Sequence, residues 1–328
     1  WAVFLVTLAM LAAFTPRMAS YLAPVTGDEP FYLMTAISII EDRDINECNN
    51  YVAQDEARFY PDFYYFDGQQ AYAAFPADWR GFRGAPYPLT PHAAMISPAS
   101  RQCASSYRTY PVHYDNPGGE LYSKHGLGLS LLILPAYWIG DRLGVMFFLN
   151  ALGALLAAMV YLLARESTGK MLPAVLTWAA FALTVPALPY SYLIFPELPA
   201  ALFVLYAYRR IRVTGNNLLQ TWLVGYCIAF LPWLHYRFAP ICLGLALYYI
   251  VQDRRTREPR RAVRYTALML PPLVSAGLLV AFFMQRYGMP YPNPGDHAGI
   301  SDVAGTLRGT VGLFFDQQWG LFVAAPVF

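Results

Sequence analysis

The feature that most constrains this chain is a series of long apolar blocks, each bounded by charged residues, Gly or Pro. The blocks lie at Trp1–Phe14, Leu143–Ala164, Met171–Leu188, Leu198–Tyr208, Leu218–Leu231, Phe238–Val251 and Tyr265–Met284. A helical block of about 20 apolar residues matches the hydrocarbon core of a bilayer. Charged residues make up only 13% of the chain, too few for a soluble protein surface. The sequence therefore predicts an all-α integral membrane protein with many spans.

Both ends of the chain fall inside apolar blocks. The first block begins at Trp1 without an initiator Met, and a final block, Gly320–Phe328, stops at Phe328. We interpret the sequence as a fragment, with a clipped first transmembrane helix over 1–14 and the start of a further one over 318–328. A signal peptide is the alternative for the first block, but no convincing small-residue cleavage site follows it, which favours the helix.

Basic residues alternate between the loops, and this alternation predicts the orientation. Eleven of the 23 Lys and Arg residues lie in three short loops: Arg165, Lys170, Arg209, Arg210, Arg212, Arg254, Arg255, Arg257, Arg260, Arg261 and Arg264. The intervening loops, Pro189–Glu197 and Pro232–Arg237, contain a single Arg. Because basic loops are retained in the cytoplasm, the segments 15–142 and 287–317 are predicted to lie outside. Transmembrane helices two to seven then occupy 143–286.

The long outer segment, 15–142, is rich in Tyr, Pro and Gly, which is typical of an ordered, loop-dominated insertion. Two stretches inside it have helical features. Residues 30–41 begin with Pro after two acids, and residues 126–140 are apolar but too short to span comfortably. Both are predicted to be juxtamembrane helices, the second anchored in the outer interface by Tyr137 and Trp138.

The most informative polar residues are Asp28 and Glu29, two adjacent acids between the first span and the helix predicted at 30–41. One interpretation is that they cap this helix, since negative side chains offset the positive end of the helix dipole. Capping explains where the acids lie, but it does not explain the other ionisable groups predicted at the same face. The second interpretation is therefore a functional site.

Further ionisable residues are predicted to meet at this outer face. They are Lys124, His125, Arg142, Glu197, His235 and Arg237. Ionisable groups in apolar turns are costly and indicate a function by default. A carboxylate beside cations suits transfer from a phosphate-linked donor, because the carboxylate takes a proton from the accepting hydroxyl while the cations hold the departing phosphate. The membrane surface suits a donor with a lipid tail.

A divalent metal ion is an alternative use of the same acids and imidazoles. Asp28, Glu197 and His235 offer the carboxylate and imidazole ligands that Mg, Mn or Zn accept in proteins. No ligand spacing in the sequence requires a metal, so this cofactor remains open.

The order of these residues resembles the GT-C superfamily of polytopic membrane glycosyltransferases, in the branch that includes protein O-mannosyltransferases and the lipid A aminoarabinose transferase. The resemblance covers most of the chain and rests on placement more than on any one motif. It is carried by Asp28-Glu29 with Tyr32 following, Lys124 before a Gly-rich helix ending at Ile139-Gly140, Arg142-Leu143, the Pro-bracketed Glu197, and Phe315-Asp316 ahead of Gly320-Leu321 and Pro326. Two features depart from the family pattern: Glu197 stands where relatives often have Asp, and His125-Gly126 follows the Lys where many have a Pro-Pro pair.

The resemblance implies a GT-C-type multi-span helical bundle in the plasma (inner) membrane, with its active site facing outward. It implies a polyprenyl-phosphate sugar donor, a lipid, glycan or protein acceptor, and a role in cell-envelope glycosylation. Membrane lipids are expected partners, and nucleic acid is not. Asp28 would be the general base of an inverting transfer, and Lys124 would contact the donor phosphate. The remaining residues expected to bind substrate are Glu29, Tyr32, His125, Arg142, Glu197, His235 and Arg237.

Two other classes of function are open. A transporter or flippase of a lipid-linked substrate usually has ionisable residues or broken helices near the bilayer midplane and repeated halves, and neither is evident in the sequence. A non-catalytic scaffold that binds a partner through the outer segment would make Asp28 and Glu197 dispensable. The agreement between site chemistry and topology favours the glycosyltransferase.

Overall fold

The computed structural model describes residues 1–23, 25, 27–47, 49–50, 55–59, 64–67, 70–73, 87–88, 113–115, 121–123, 125–212, 217–256, 261–288 and 290. Within them the chain is mostly helical, as predicted. Lys124 and the predicted segments 291–317 and 318–328 lie outside the described residues.

The helices follow one another through the predicted apolar blocks. They are α1 (Ala2–Tyr21), α2 (Glu29–Glu41), α3 (Leu127–Thr168), α4 (Met171–Ala182), α5 (Ala187–Tyr190), α6 (Glu197–Arg212), α7 (Leu218–Leu234), α8 (Ala239–Thr256) and α9 (Arg261–Tyr287). Short 3₁₀ turns occur at Asp55–Arg58 and Tyr236–Phe238. Each apolar block that falls within the described residues therefore contains a helix.

Three of the described helices, α1, α3 and α9, are long and apolar enough to cross a membrane. α4 and α7 are shorter apolar helices. The spanning candidates expose large apolar side chains, with Leu5 58% and Leu273 63% exposed. An outer surface of this kind is costly in water and suits a lipid environment.

α4 ends earlier than its apolar block predicts. The block continues to Leu188, but the helix stops at Ala182. Pro186 provides the physical reason, because a proline has no N–H to bond the carbonyl four residues earlier, here that of Ala182, and its ring clashes with that carbonyl. The chain then makes the short helix α5 before it reaches Glu197.

α3 changes direction at Gly140 and Asp141. Gly140 has φ −153° and ψ 31°, and Asp141 has φ 48° and ψ −148°, so neither residue is helical. Asp tolerates positive φ better than most residues. The kink lies where the sequence predicts a break between the juxtamembrane stretch and the second span.

The description as all-α holds for most of the chain but not for the outer segment. Among the described residues there, short strands pair in two antiparallel sheets: β1 (Tyr64–Asp67), β2 (Gln70–Ala73) and β3 (Tyr87–Pro88) in one, β4 (His113–Asp115) and β5 (Leu121–Ser123) in the other. In the second sheet Tyr114 is opposite Tyr122. Aromatic residues favour strands, and this Tyr-rich composition is the signal that the all-α prediction did not use.

α2 is packed into the protein rather than laid on an interface. Leu33 and Ile37 are fully buried in the main hydrophobic core. The Ser130 hydroxyl of α3 donates a hydrogen bond to the Tyr32 carbonyl at 3.0 Å, which fixes α2 against α3. Tyr137 is only 5% exposed, so its predicted role as an interfacial anchor is wrong, whereas its neighbour Trp138 is 75% exposed.

The start of α3 meets the end of α7 with almost no space between the backbones. A Cβ atom at Gly128 would lie 2.6 Å from the Trp233 carbonyl carbon, and one at Gly126 would lie 2.5 Å from the Leu234 carbonyl oxygen. Only glycine permits such an approach, since real Cβ atoms do not come so close to backbone. The contact brings His125, just before α3, toward His235, just after α7.

Substitution of Gly128 by Ala tests this contact. We expect Gly128→Ala to lower the free energy of unfolding by about 1–3 kcal/mol, because neither backbone can yield. Gly277→Ala in α9 is the matched control: nothing lies within 4 Å of its Cβ position, so the change should be neutral or slightly stabilising. Unfolding temperatures of the purified variants in detergent give the comparison, and equal temperatures for the two variants would contradict the packing described.

Candidate functional site

Asp28 is held at the first turn of α2 by the glycine that precedes it. Gly27 has φ +65°, a conformation that L side chains rarely adopt, and its Cβ position faces the Phe195 ring at 3.4 Å. Asp28 occupies the N-cap position of α2, yet its side chain makes no capping hydrogen bond. Half of the side chain is exposed. Asp28 therefore does not cap α2 by hydrogen bonding, although its charge still lies next to the positive end of the helix.

Glu29 lies inside the protein and is only 1% exposed. Its carboxylate accepts a hydrogen bond of 2.6 Å from the Ile194 backbone N–H. Hydrogen bonds to a carboxylate are stronger than neutral ones, so this contact fixes α2 to the turn that leads into α6. Glu29 thus connects the loop of one candidate acid, Asp28, to that of another, Glu197.

Arg142 uses both terminal nitrogens within the protein. They donate to the Ala19 and Leu22 carbonyls at 2.9 and 3.0 Å. These carbonyls belong to the C-terminal end of α1, where a cation satisfies orphan acceptors and the negative end of the helix dipole. The predicted phosphate contact of Arg142 gains no support from this geometry.

His125 packs between aromatic rings beside Asp28. Its ring stacks on Phe31, with centroids 5.0 Å apart and planes at 18°, and lies 5.3 Å from the Tyr32 ring. Its side chain is 8% exposed, and its Nδ1 lies 3.9 Å from Asp28 Oδ2. The imidazole therefore forms one wall of the space next to the exposed carboxylate.

Tyr32 places a buried hydroxyl at the same site. The residue is 1% exposed, and its Oη has no hydrogen-bond partner in the described structure. Burial raises the pKa of the phenol, and the negative charges of Asp28 and Glu197 raise it further against the opposing effect of Arg237. Tyr32 remains an O–H donor at neutral pH.

Glu197 and Arg237 form an ion pair between the start of α6 and the 3₁₀ turn after α7, from Glu197 Oε1 to Arg237 Nη2. Arg237 is 48% exposed and Glu197 32%, so the pair is open to a ligand on one side. The second oxygen of Glu197, Oε2, is buried without a hydrogen-bond partner in the described residues. Buried acceptors of this kind are costly unless something satisfies them.

His235 presents a neutral imidazole to the site. Burial and, to a smaller extent, the Arg237 charge lower its pKa to about 4 against the opposing effect of Asp28. Its Nδ1 accepts a hydrogen bond of 3.2 Å from the Arg237 backbone N–H. The proton of the neutral ring is therefore assigned to Nε2, which becomes a donor.

The predicted metal set does not form a metal site in this geometry. Across the described part of the chain, no three His, Cys, Asp or Glu side chains are placed to hold a metal ion. Asp28, Glu197 and His235 share an electrostatic environment without converging on one point. A metal role for them stays a prediction, and no step below depends on it.

Comparison with known proteins leaves the site to be judged by its own geometry. No protein-family model matches the chain, and no curated protein or solved structure matches it. Similarity to GT-C enzymes therefore rests on the sequence features described above.

The structure brings most of the predicted residues together. The ones that share the site are Asp28, Tyr32, His125, Glu197, His235 and Arg237. Glu29 is a buried contact next to the site, Arg142 is a partly buried one, and Lys124 lies outside the described residues.

Sequence analysis missed Tyr190, a neighbour of the Glu197–Arg237 pair. Burial raises the pKa of this phenol, and the Glu197 charge raises it further against the effect of Arg237. Its ring meets Phe195 edge to face with centroids 6.0 Å apart. The only signal for this position was its place after Pro189, in the loop Pro189–Glu197 that the sequence predicts to lie outside.

The lowered pKa of His235 predicts a pH effect on stability. An unfolded chain takes up a proton at His235 below about pH 6.5, whereas the folded chain resists it until about pH 4, so stability falls as the pH drops through this window. We expect the unfolding temperature of the wild type to fall more than that of His235→Gln between about pH 7 and pH 5. Identical losses in the two proteins, measured in the same detergent, would show that His235 does not carry this effect.

Proposed function

We propose that the protein is a membrane glycosyltransferase of GT-C type, which transfers a sugar from a polyprenyl-phosphate donor to a lipid, glycan or protein acceptor outside the cytoplasm. The proposed location is the plasma (inner) membrane, with several spans and an outward-facing site. The positions of the basic loops support this orientation. Three helices of sufficient length and apolarity support the membrane location.

One observation supports this function more than any other. Asp28 stands at the start of a helix that it does not cap by hydrogen bonding, with half of its side chain exposed beside a buried imidazole. A carboxylate kept available in this way suits a general base. The nearby Arg237 supplies the positive charge that a departing phosphate needs.

The proposed reaction is a single displacement. Asp28 takes the proton of the acceptor hydroxyl, and the oxygen forms a bond to the anomeric carbon. The bond from that carbon to the phosphate oxygen breaks, and the phosphate leaves with the electron pair, stabilised by Arg237 and, as the resemblance implies, by Lys124. Because attack and departure occur on opposite faces, the anomeric configuration is inverted.

In this proposal the neutral side chains of Tyr32 and His235 act as hydrogen-bond donors, and Glu197 acts as an acceptor. Tyr32 Oη and His235 Nε2–H donate hydrogen bonds to hydroxyl or phosphate oxygens of the substrate. The buried Oε2 of Glu197 accepts one from a substrate hydroxyl. Glu29 and Arg142 hold the turns that carry these groups, and they do not touch substrate.

Replacement of Asp28 by Asn removes the base and keeps the shape of the side chain. We expect Asp28→Asn to reduce sugar transfer at least about a hundredfold, the lower range for loss of general base catalysis. Radiolabelled transfer from a panel of polyprenyl-phosphate sugars, in membranes that contain the protein, measures the loss. Asp141→Asn is the matched control, since Asp141 is an exposed acid at the α3 kink and Asn tolerates the same backbone angles.

Equal transfer by Asp28→Asn and wild type would remove Asp28 as the base. A product that retains the donor's anomeric configuration, determined by NMR, would overturn the single displacement. Absence of transfer by the wild type across the whole donor panel would instead favour a transporter or flippase of a lipid-linked substrate.

The proposed orientation makes a separate prediction about accessibility. Single Cys residues introduced at Asp44 and Asp141 should react with an impermeant thiol reagent in intact cells, and Cys at Glu166 should react only after the membrane is permeabilised. The native cysteines are first replaced by Ser. The reverse pattern of labelling would place the candidate site on the cytoplasmic side and rule out the proposed donor geometry.

A further inference from the structure

Arg286 makes a double contact with Tyr122 at the outer end of α9. Its Nη1 donates a hydrogen bond of 2.8 Å to Tyr122 Oη, and its guanidinium carbon lies 5.3 Å from the centre of the same ring. Arg286 is partly exposed, whereas Tyr122 is only 1% exposed. A planar cation that both stacks on a ring and bonds its hydroxyl orients that ring more firmly than either contact alone.

Tyr122 belongs to the strand that leads directly to the candidate site. It lies in β5, opposite Tyr114 of β4. The next residue, Ser123, is 8% exposed, and its hydroxyl accepts a hydrogen bond of 3.2 Å from the His125 backbone N–H. The side chain of His125 then reaches Asp28, with 3.9 Å between Nδ1 and Oδ2. An unbroken series of contacts thus connects α9 to the proposed base.

We propose that Arg286 is a positioning residue for Asp28, acting through the strand at Tyr122 and the imidazole of His125. The inference rests on the proposed function, in which Asp28 is the base. His125 is packed against Phe31 and Tyr32, so its remaining freedom depends on how firmly the strand end at Tyr122 and Ser123 is held. Small displacements of a reacting group lower the rate steeply, so loosening of this strand end should slow the reaction.

The first test compares substitutions that each remove one part of the Arg286–Tyr122 contact and keep the size of the side chain. Arg286→Lys keeps the charge but loses the planar guanidinium, and Tyr122→Phe keeps the ring but loses the hydroxyl. We expect each to lower kcat for sugar transfer about tenfold and to change KM for the lipid donor by less than about twofold. Arg209→Lys is the matched control. Arg209 pairs with Glu166 and lies about 18 Å along α6 from Glu197, so this substitution should leave transfer unchanged.

The same two substitutions are then placed in a His125→Ala background. If Arg286 acts through His125, its replacement should lower the already reduced rate by less than about twofold, since the connection is gone. If the loss of kcat in the double variant equals the product of the two single losses, the substitutions act independently. That result would overturn the inference and leave the proposed function standing.

Hydrogen exchange gives a readout that does not depend on the reaction. In Arg286→Lys, amides of residues 121–126 should exchange faster than in wild type, while those of α7 stay unchanged. Unchanged exchange in 121–126 would overturn the inference even if the rate falls. If the wild type transfers no sugar from any donor, the proposed function fails, and the exchange result still decides whether Arg286 orders this strand.

Discussion

The buried hydrogen bond between Glu29 and the Ile194 N–H is the contact on which the site depends. It joins the start of α2 to the turn before α6, two segments far apart in the sequence. A carboxylate buried without such a partner would be strongly unfavourable, so the folded chain must keep this contact whenever α2 is packed. Asp28 precedes Glu29, and Glu197 follows Ile194, so one bond sets the relation between both candidate acids. Arg142 stabilises the neighbouring end of α1 by donating hydrogen bonds to its last carbonyls.

Much of the fold could be predicted from the sequence because a bilayer leaves few choices. Apolar blocks must form helices in lipid, since unpaired backbone groups are too costly there. The kink of α3 was visible as a change from a Gly-rich stretch to a charged pair, Asp141 and Arg142. What composition could not reveal was depth of burial. Tyr137 and Trp138 are adjacent aromatic residues at one interface, and only the neighbouring helices decide that one is packed and the other is exposed.

The candidate site shows the same division. The order of residues along the chain indicated the ionisable groups of the candidate site. It could not show that Glu29 is buried and Asp28 exposed, because that depends on which of the two side chains reaches a backbone N–H. The use of Arg142 on α1 carbonyls was equally hidden, since it depends on contacts between residues more than 100 positions apart. Tyr190 was missed because it lies in a predicted loop, where the sequence does not reveal that the fold brings its phenol near Glu197 and Arg237. The role of Gly126 and Gly128 was also invisible without the path of α7.

The short helices have a consequence for how a ligand meets the site. α6 has 16 residues and α4 has 12, corresponding to about 24 and 18 Å, whereas the hydrocarbon core of a bilayer is about 30 Å thick. A bilayer accommodates such hydrophobic mismatch by thinning, or longer neighbouring helices shelter the short ones. Where longer neighbours shelter α6, at least one of its ends stays short of the rim of the long helices, and Glu197 stands at one of these ends. Under the proposed function, a lipid-linked substrate would then enter sideways, at the depth of the headgroups, without its tail leaving the membrane.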